Sequence, residues 1–145
     1  MCDQKRSVVG IGVDMCAISR IEKAIEREHF YTRIFTEGER AYLEKKNKSR
    51  AQSAAAMYAA KEAVAKALGT GFSRGIFFDQ IDVIHDELGA PGLVLTGRAL
   101  ERMQELGGKE PLGHVVQFLA GTEVIKQGGD GPGIVGFGQK LIQFF

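Results

Sequence analysis

Apolar positions near the start of the chain follow first a strand-like and then a helix-like pattern. Residues 8–13 form a short run rich in β-branched side chains, which predicts a buried strand that ends at Asp14. Isoleucines then recur at spacings of three and four among charged residues. This spacing predicts an amphipathic helix that begins near Ser19.

Two more helices are predicted in the middle of the chain. Thr36 and Glu39 have the spacing of a capping box, in which each side chain satisfies an otherwise free backbone amide. The helix that they open ends in the polar run 45–48. The alanine-rich segment 51–68 contains strong helix formers, and Gly69 follows it where helices commonly end in glycine.

The second half of the chain predicts a hairpin and a further helix. Residues 76–84 alternate in part and predict a strand, 85–89 supply turn-forming residues, and 93–95 suit a returning antiparallel strand. Residues 99–106 predict a helix that two glycines then end. A strand is possible at 115–119.

The last 20 residues contain six glycines and have neither a helical nor an alternating period. We therefore expect residues 115–145 to be an atypical, partly disordered tail of a single domain that spans 1–145. The length of 145 residues fits one domain, and 44% hydrophobic and 26% charged residues are ordinary for a soluble protein. Two cysteines suggest no disulfide framework, and no apolar run suits a signal peptide or a membrane span, so we expect a cytoplasmic protein.

The net charge of +1 conceals an asymmetry between the two halves of the chain. Residues 1–75 carry 14 Lys and Arg against 9 Asp and Glu, whereas residues 76–145 carry 5 against 9. Two interpretations remain open: solvated helix faces, or a basic surface for an acidic macromolecule or a phosphorylated ligand.

Asp14 is the first candidate for chemistry, because an acid at the end of a buried strand emerges where clefts form. Gly10 and Gly12 would let the backbone or a ligand approach closely. A turn or helix cap is the alternative role for this aspartate. The segment is not a dinucleotide-binding fingerprint, since the third glycine is missing.

Glu62 and Lys66 form the second candidate, since a spacing of four places them on one helix face. A routine surface pair is the alternative. The alanines around them would allow a neighbouring element or a ligand to come close, and residues 69–71 add an open Gly-Thr-Gly stretch after the helix.

Taken together, these motifs resemble the paired signatures of holo-acyl-carrier-protein synthases, in the 4′-phosphopantetheinyl transferase superfamily. The first signature is Gly-x-Gly-x-Asp at 10–14, followed by Arg20, and the second is the run Lys-Glu-Ala-x-x-Lys-Ala-x-Gly-Thr-Gly at 61–71. Phe35-Thr36 with Glu39 matches an intermediate element, and 78–91 resembles the family's hairpin. The resemblance covers about residues 8–110.

The resemblance implies an α+β fold, with a small antiparallel sheet packed against a long helix, and a homotrimer with active sites at subunit interfaces. It implies an enzyme of fatty acid biosynthesis that transfers 4′-phosphopantetheine from coenzyme A to a serine of apo-acyl-carrier protein. Asp14 and Glu62 would hold the Mg²⁺ cofactor, which prefers one or two carboxylates plus water and phosphate oxygens. The implied catalytic residues are Asp14, Glu62 and Lys66, and the implied substrate-binding residues are Arg20, Lys61, Lys66, Gly69 and Pro91.

The sequence departs from the family pattern at two places. Met57 stands where an arginine is usual. After His114-Val115 the chain lacks the His-Val-Ser-x-Ser-His type of motif, which helps to bind the nucleotide end of coenzyme A. A frameshift or a divergent terminus would explain this.

Two other functions are weighed against the enzyme. A non-catalytic or impaired relative that still binds carrier protein would explain the unusual terminus. A nucleic-acid-binding module is disfavoured, because the sequence has no helix-turn-helix, zinc or aromatic-platform signature.

Overall fold

The structure, a computed structural model, describes residues 10–108 and two later strands at 122–125 and 134–137. Within these residues the chain combines α-helices with antiparallel β-strands, which confirms the predicted α+β class. In chain order the elements are β1 (Met15–Ala17), α1 (Ile18–Ala24), α2 (Glu28–Ile34), α3 (Glu37–Glu44), α4 (Arg50–Ala67), β2 (Ile81–His85), β3 (Pro91–Leu95), α5 (Gly97–Glu105), β4 (Thr122–Ile125) and β5 (Ile134–Phe137).

The strands form two small antiparallel sheets. β2 and β3 pair as a hairpin in which Ile81 lies opposite Leu95. The other sheet has the order β1–β5–β4, and Val135 of β5 lies opposite Cys16 of β1 on one side and Val124 of β4 on the other. The short strand that follows Asp14 is therefore paired with a segment from the far end of the chain.

Helix α4 passes through the centre of the core and contacts α1, α3, β1, β2 and β5. Its buried residues point in all directions around the helix axis, and most of them are alanine. Small side chains let the neighbouring elements approach the helix backbone closely. Larger buried side chains surround the helix, among them Ile21, Phe35, Leu43, Ile81 and Leu93.

The closest approach to α4 is made by the segment that leads to Asp14. The backbone at Gly12 lies directly against the backbone of Ala63 and Ala67, and a Cβ atom at this position would collide with the carbonyl oxygen of Ala63. Only glycine fits here, so the second glycine of the Gly-x-Gly-x-Asp segment serves packing against α4.

Most of the predicted elements are confirmed. Helix α1 begins next to Ser19, α4 covers the alanine-rich segment, and Gly69 follows α4 with a positive φ of 73°. Thr36 and Glu39 form the capping box of α3, and the hairpin and α5 lie where the pattern predicts them. No helix among the described residues is long and apolar enough to cross a membrane.

Three predictions differ from the structure. Residues 10–14 form no strand and β1 begins at Met15, since the preceding segment packs on α4. Helix α2 was not predicted, because it spans only about two turns, so Phe30, Tyr31 and Ile34 share one face without recurring often enough to form a detectable period. Within the predicted tail, residues 134–137 form a strand that was not predicted and that pairs with β1. The strand expected at 115–119 lies outside the described residues, and the partly disordered tail stays a prediction.

Replacing Gly12 by alanine should destabilise the protein by about 3 kcal/mol, because the new methyl group meets rigid helix backbone and not a movable side chain. The matched control is Gly38→Ala within α3, where nothing lies within 4 Å of an added Cβ. That variant should be neutral or slightly more stable. Urea denaturation of both variants checks this, and equal stability of Gly12→Ala and the parent chain would contradict the close approach.

Candidate active site

Asp14 and Lys66 meet although 52 positions separate them. The Nζ atom of Lys66 lies 2.8 Å from Oδ1 of Asp14 and also donates to the carbonyl oxygen of Val13 at 3.2 Å. The aspartate side chain is 17% exposed and the lysine side chain is 53% exposed. The hydrogen bond to Asp14 is the main cause that raises the pKa of Lys66, so this lysine is a cation at neutral pH.

Glu62 lies one helical turn before Lys66 and is half-buried. Its negative charge and that of Asp14 both raise the pKa values of Lys66, Cys16 and Tyr58. The two carboxylates therefore influence the same three neighbours, and Asp14 contacts Lys66, which lies one helical turn beyond Glu62. A shared metal site of Asp14 and Glu62 stays a prediction.

Tyr58 and Cys16 border this site and keep their protons at neutral pH. Burial is the largest cause that raises the pKa of Tyr58 to about 12, followed by the charge of Glu62 and a hydrogen bond to Glu62. Burial, followed by the charge of Asp14, raises the pKa of Cys16 to about 11. The buried thiol donates to the carbonyl oxygen of Ala55 at 3.1 Å, so it has the character of a structural cysteine.

The donor set suits a hard cation that keeps part of its own hydration. Among residues 10–108 no group of three or more His, Cys, Asp or Glu side chains could hold a metal ion. Asp14 and Glu62 offer two partly exposed carboxylates. Mg²⁺ is commonly bound by one or two carboxylates, with water and substrate phosphates completing its shell, and the residues present fit that ion.

Comparison with known proteins assigns the family. The profile of the family described as the 4′-phosphopantetheinyl transferase superfamily matches residues 10–119. This chain belongs to that family. A holo-[acyl-carrier-protein] synthase from Methylobacterium sp. (strain 4-46) is 50% identical over 109 residues, which cover 74% of this chain and 78% of the relative.

Solved structures confirm the fold of this transferase. The holo-[acyl-carrier-protein] synthase from Neisseria meningitidis has a TM-score of 0.62 and 34% identity, covering 72% of this chain and 84% of the other. The synthase from Bacillus anthracis, solved in complex with CoA (3′,5′-ADP), has a TM-score of 0.56 and 38% identity, covering 62% and 77%.

Two adjoining cavities on this transferase are lined by cations and aromatic rings. One, of about 300 Å³, has Arg20, Lys23 and Arg27 in its wall together with Phe30 and Tyr58. The other, of about 350 Å³, shares Arg27, Phe30 and Tyr58 and adds His29 and Arg33, among other residues. Part of the basic excess in the first half of the chain therefore lines a concave surface. Tyr58 belongs to this surface and lies one helical turn before Glu62.

The position of Lys61 disagrees with its predicted contact to the substrate. Its side chain is fully buried, and its Nζ atom lies 2.7 Å from Oε2 of Glu39, which is also fully buried. The same nitrogen donates to the carbonyl oxygens of Ile34 at 2.7 Å and Phe78 at 3.0 Å. With all three of its protons engaged inside the core, Lys61 has no route to a substrate, so its predicted substrate contact is wrong.

The remaining predicted contacts lie at different places in the fold. Arg20 is exposed on α1, and its charge acts on both Tyr58 and Cys16, so it borders the carboxylate site. Gly69 terminates α4, where Nε of Arg102 donates to the preceding carbonyl at 3.0 Å. Pro91 opens β3. The roles of Gly69 and Pro91 in substrate binding stay predictions.

Sequence reasoning missed several residues around the site. Tyr58 precedes Glu62 by four positions, and this helical spacing is the signal that would have identified it. Arg27, Phe30 and Arg33 lie around α2, a helix that the hydrophobic pattern does not reveal.

Proposed function

We propose that this chain transfers the 4′-phosphopantetheine group of coenzyme A to a serine hydroxyl of an apo-acyl-carrier protein, with Mg²⁺ as cofactor, in fatty acid biosynthesis. The observation that carries the proposal is the meeting of Asp14 with Lys66, one turn from Glu62, in a chain of the 4′-phosphopantetheinyl transferase family. The relatives named as holo-[acyl-carrier-protein] synthases and the CoA complex of the Bacillus anthracis protein support the choice of substrates.

Asp14 and Glu62 are the residues that would hold Mg²⁺. When bound, this ion would supply Lewis-acid stabilisation of the negative charge on the pyrophosphate of coenzyme A. Lys66 carries a positive charge at neutral pH on a half-exposed side chain, so it can turn from Asp14 towards the same phosphates.

The transfer step is a displacement at phosphorus. The serine oxygen of the carrier protein forms a bond to the β-phosphorus of coenzyme A, and the bond from this phosphorus to the bridging oxygen breaks. Adenosine 3′,5′-bisphosphate leaves with that oxygen and its electron pair. Asp14 is the group that would accept the serine proton, since it lies at the surface end of the segment that packs on α4.

An acidic carrier protein would dock on the cavities lined by cations. Three of the cations, Arg20, Lys23 and Arg27, line the same cavity as the rings of Phe30 and Tyr58. Such a surface attracts an acidic partner at long range and offers apolar contact once the partner has arrived. Tyr58 lines both cavities and lies one helical turn before Glu62. A partner docked in these cavities would therefore have its serine close to the carboxylates.

A homotrimer, implied by the family resemblance, and a cytoplasmic location are part of the same proposal. Ile11, Val13 and Met15 expose 57%, 41% and 58% of their surface beside Asp14. Exposed apolar side chains at alternate positions favour contact with another protein surface. A neighbouring copy of this chain would cover them and thereby complete the site at the subunit interface.

The alternative of an impaired relative depends on the terminus. The His114 region lies outside the described residues. A weakened contact with the nucleotide end of coenzyme A, expected from the missing motif, therefore stays a prediction. β5 nevertheless pairs with β1, so the divergent end of the chain contributes to the sheet next to Asp14. This pairing favours a terminus that has diverged but still folds.

Removing either acid should abolish transfer without unfolding the protein. Asp14→Ala and Glu62→Ala should each lower the rate by about 10³-fold, because each removes one of the two carboxylates that would hold Mg²⁺ at the reacting phosphates. Neither side chain belongs to the apolar core, so the melting temperature should change little. Mass spectrometry of the carrier protein with coenzyme A and Mg²⁺ measures the adduct, with Glu22→Ala, an exposed acid on α1, as control. Parent-level transfer in either variant would overturn the proposed roles.

Arg20 should serve docking more than chemistry. Arg20→Ala should raise the KM for carrier protein roughly fivefold and weaken the dependence of association on salt, since an exposed cation steers an acidic partner. Lys45→Ala, which removes an exposed cation just beyond α3, is the control and should leave KM unchanged. Steady-state kinetics at two ionic strengths check this. A large fall in kcat with an unchanged KM would count against docking.

A further inference from the structure

Helix α4 carries two of the proposed active-site residues, and Met57 and Val64 are its only buried apolar side chains larger than alanine. Its buried positions lie on all sides and most are alanine. Alanine side chains interlock less with their neighbours than large side chains do, and apolar contacts are non-directional, so they resist a small rotation of the helix only weakly. A directional contact is needed to select one rotation.

The buried pair of Lys61 and Glu39 supplies such a contact. Both side chains are fully buried, and Nζ and Oε2 lie 2.7 Å apart. The carbonyl oxygens of Ile34 and Phe78 take the other two protons of Lys61. These three acceptors lie on different segments of the chain, so the ammonium group is fixed from three directions.

Glu39 is fixed just as firmly. Its Oε2 atom accepts the backbone N–H of Thr36 at 2.9 Å, and its Oε1 atom accepts the backbone N–H of Val83 at 2.7 Å. The carboxylate therefore joins the start of α3 to strand β2, and through Lys61 it joins both of them to α4. The pair anchors α4 to the hairpin and to α3 at a single point.

This anchor point lies immediately next to Glu62. Consecutive residues of a helix are separated by about 100° around its axis, so fixing the direction of Lys61 also fixes the direction of Glu62. A rotation of about 20° would move a carboxylate roughly 6 Å from the axis by about 2 Å. A displacement of this size would separate the two carboxylates of a metal site, which tolerates about 0.5 Å.

We propose that the Glu39–Lys61 ion pair is a positioning device that sets the rotation of α4 and thereby holds Glu62 in register with Asp14. The proposal rests on the function proposed above, in which these two acids bind the metal ion. A buried ion pair contributes little net stability compared with apolar side chains of similar size. Replacing the pair also removes the partners of two backbone N–H groups and two carbonyl groups, so some stability will be lost. The pair's directional character is what the alanine helix lacks, so the effect specific to the pair should be found in the geometry of the site.

The test replaces the pair by apolar side chains of similar size, in the double variant Glu39→Leu/Lys61→Met. Mn²⁺ serves as the probe ion, and electron paramagnetic resonance measures its dissociation constant in the presence of coenzyme A. The double variant should keep a cooperative thermal transition and bind Mn²⁺ about 10- to 100-fold more weakly. Met103→Ala is the control: it opens the core at α5, lowers the melting temperature and should leave the dissociation constant within twofold of the parent.

A folded double variant that binds Mn²⁺ as tightly as the parent chain would overturn the proposal. If the double variant does not fold, Lys61→Arg takes its place, because a planar guanidinium keeps the charge but cannot reproduce three contacts at one nitrogen. It should weaken Mn²⁺ binding at least threefold, and parent-level binding would again overturn the proposal.

Transfer of phosphopantetheine to a carrier protein, measured in the same samples, separates this inference from the proposed function. A parent chain that binds Mn²⁺ but forms no adduct refutes the function, while the comparison of dissociation constants still decides the inference. A parent chain that forms adduct, next to a double variant with parent-level Mn²⁺ binding, refutes only the inference. A parent chain that binds no Mn²⁺ refutes both.

Discussion

A lysine and a glutamate with no exposure to solvent hold three parts of this molecule together. Burial opposes charge on both groups, raising the pKa of Glu39 and lowering that of Lys61, and the pair persists because every polar atom in it has a partner. Glu39 closes the capping box of α3 and receives an amide of β2. The orientation of α4, and with it the proposed active site, depends on this contact.

Close packing supplies the second constraint on the site. Gly12 brings the chain onto the backbone of α4, and Asp14 follows two residues later, where Lys66 can reach it. The alanines of α4 make both contacts possible, because a larger side chain near Ala63 would push the segment away. One helix thus carries the buried anchor, the surface for the approaching segment, and two of the three groups proposed for the chemistry.

Local patterns were enough to predict the elements whose causes are local. The capping box at Thr36, the alanine helix and its terminal Gly69, and the hairpin follow from neighbouring residues, and all three are present. Motif resemblance located Asp14, Glu62 and Lys66 together. The burial of Lys61 could not be predicted this way, because its partner lies 22 positions earlier and lysine is usually exposed.

Long-range pairing and weak periodicity account for the other failures. Strand β5 pairs with β1, which is more than 100 positions away, and its four residues lie within a glycine-rich stretch that hides the local signal. Helix α2 has only seven residues, and its apolar face of Phe30, Tyr31 and Ile34 is too short to repeat. The sequence therefore revealed the excess of cations in the first half of the chain, but not that Arg27 and Arg33 line cavities at this helix.

The most direct test of this account is a crystal structure of the chain with coenzyme A and Mg²⁺. We expect one oxygen of Asp14 and one of Glu62 at about 2.1 Å from the same ion. Lys66 should have turned towards the phosphates, and the buried contact between Lys61 and Glu39 should be unchanged. An ion bound without Glu62, or a helix α4 rotated away from the Glu39 anchor in the active complex, would contradict the account.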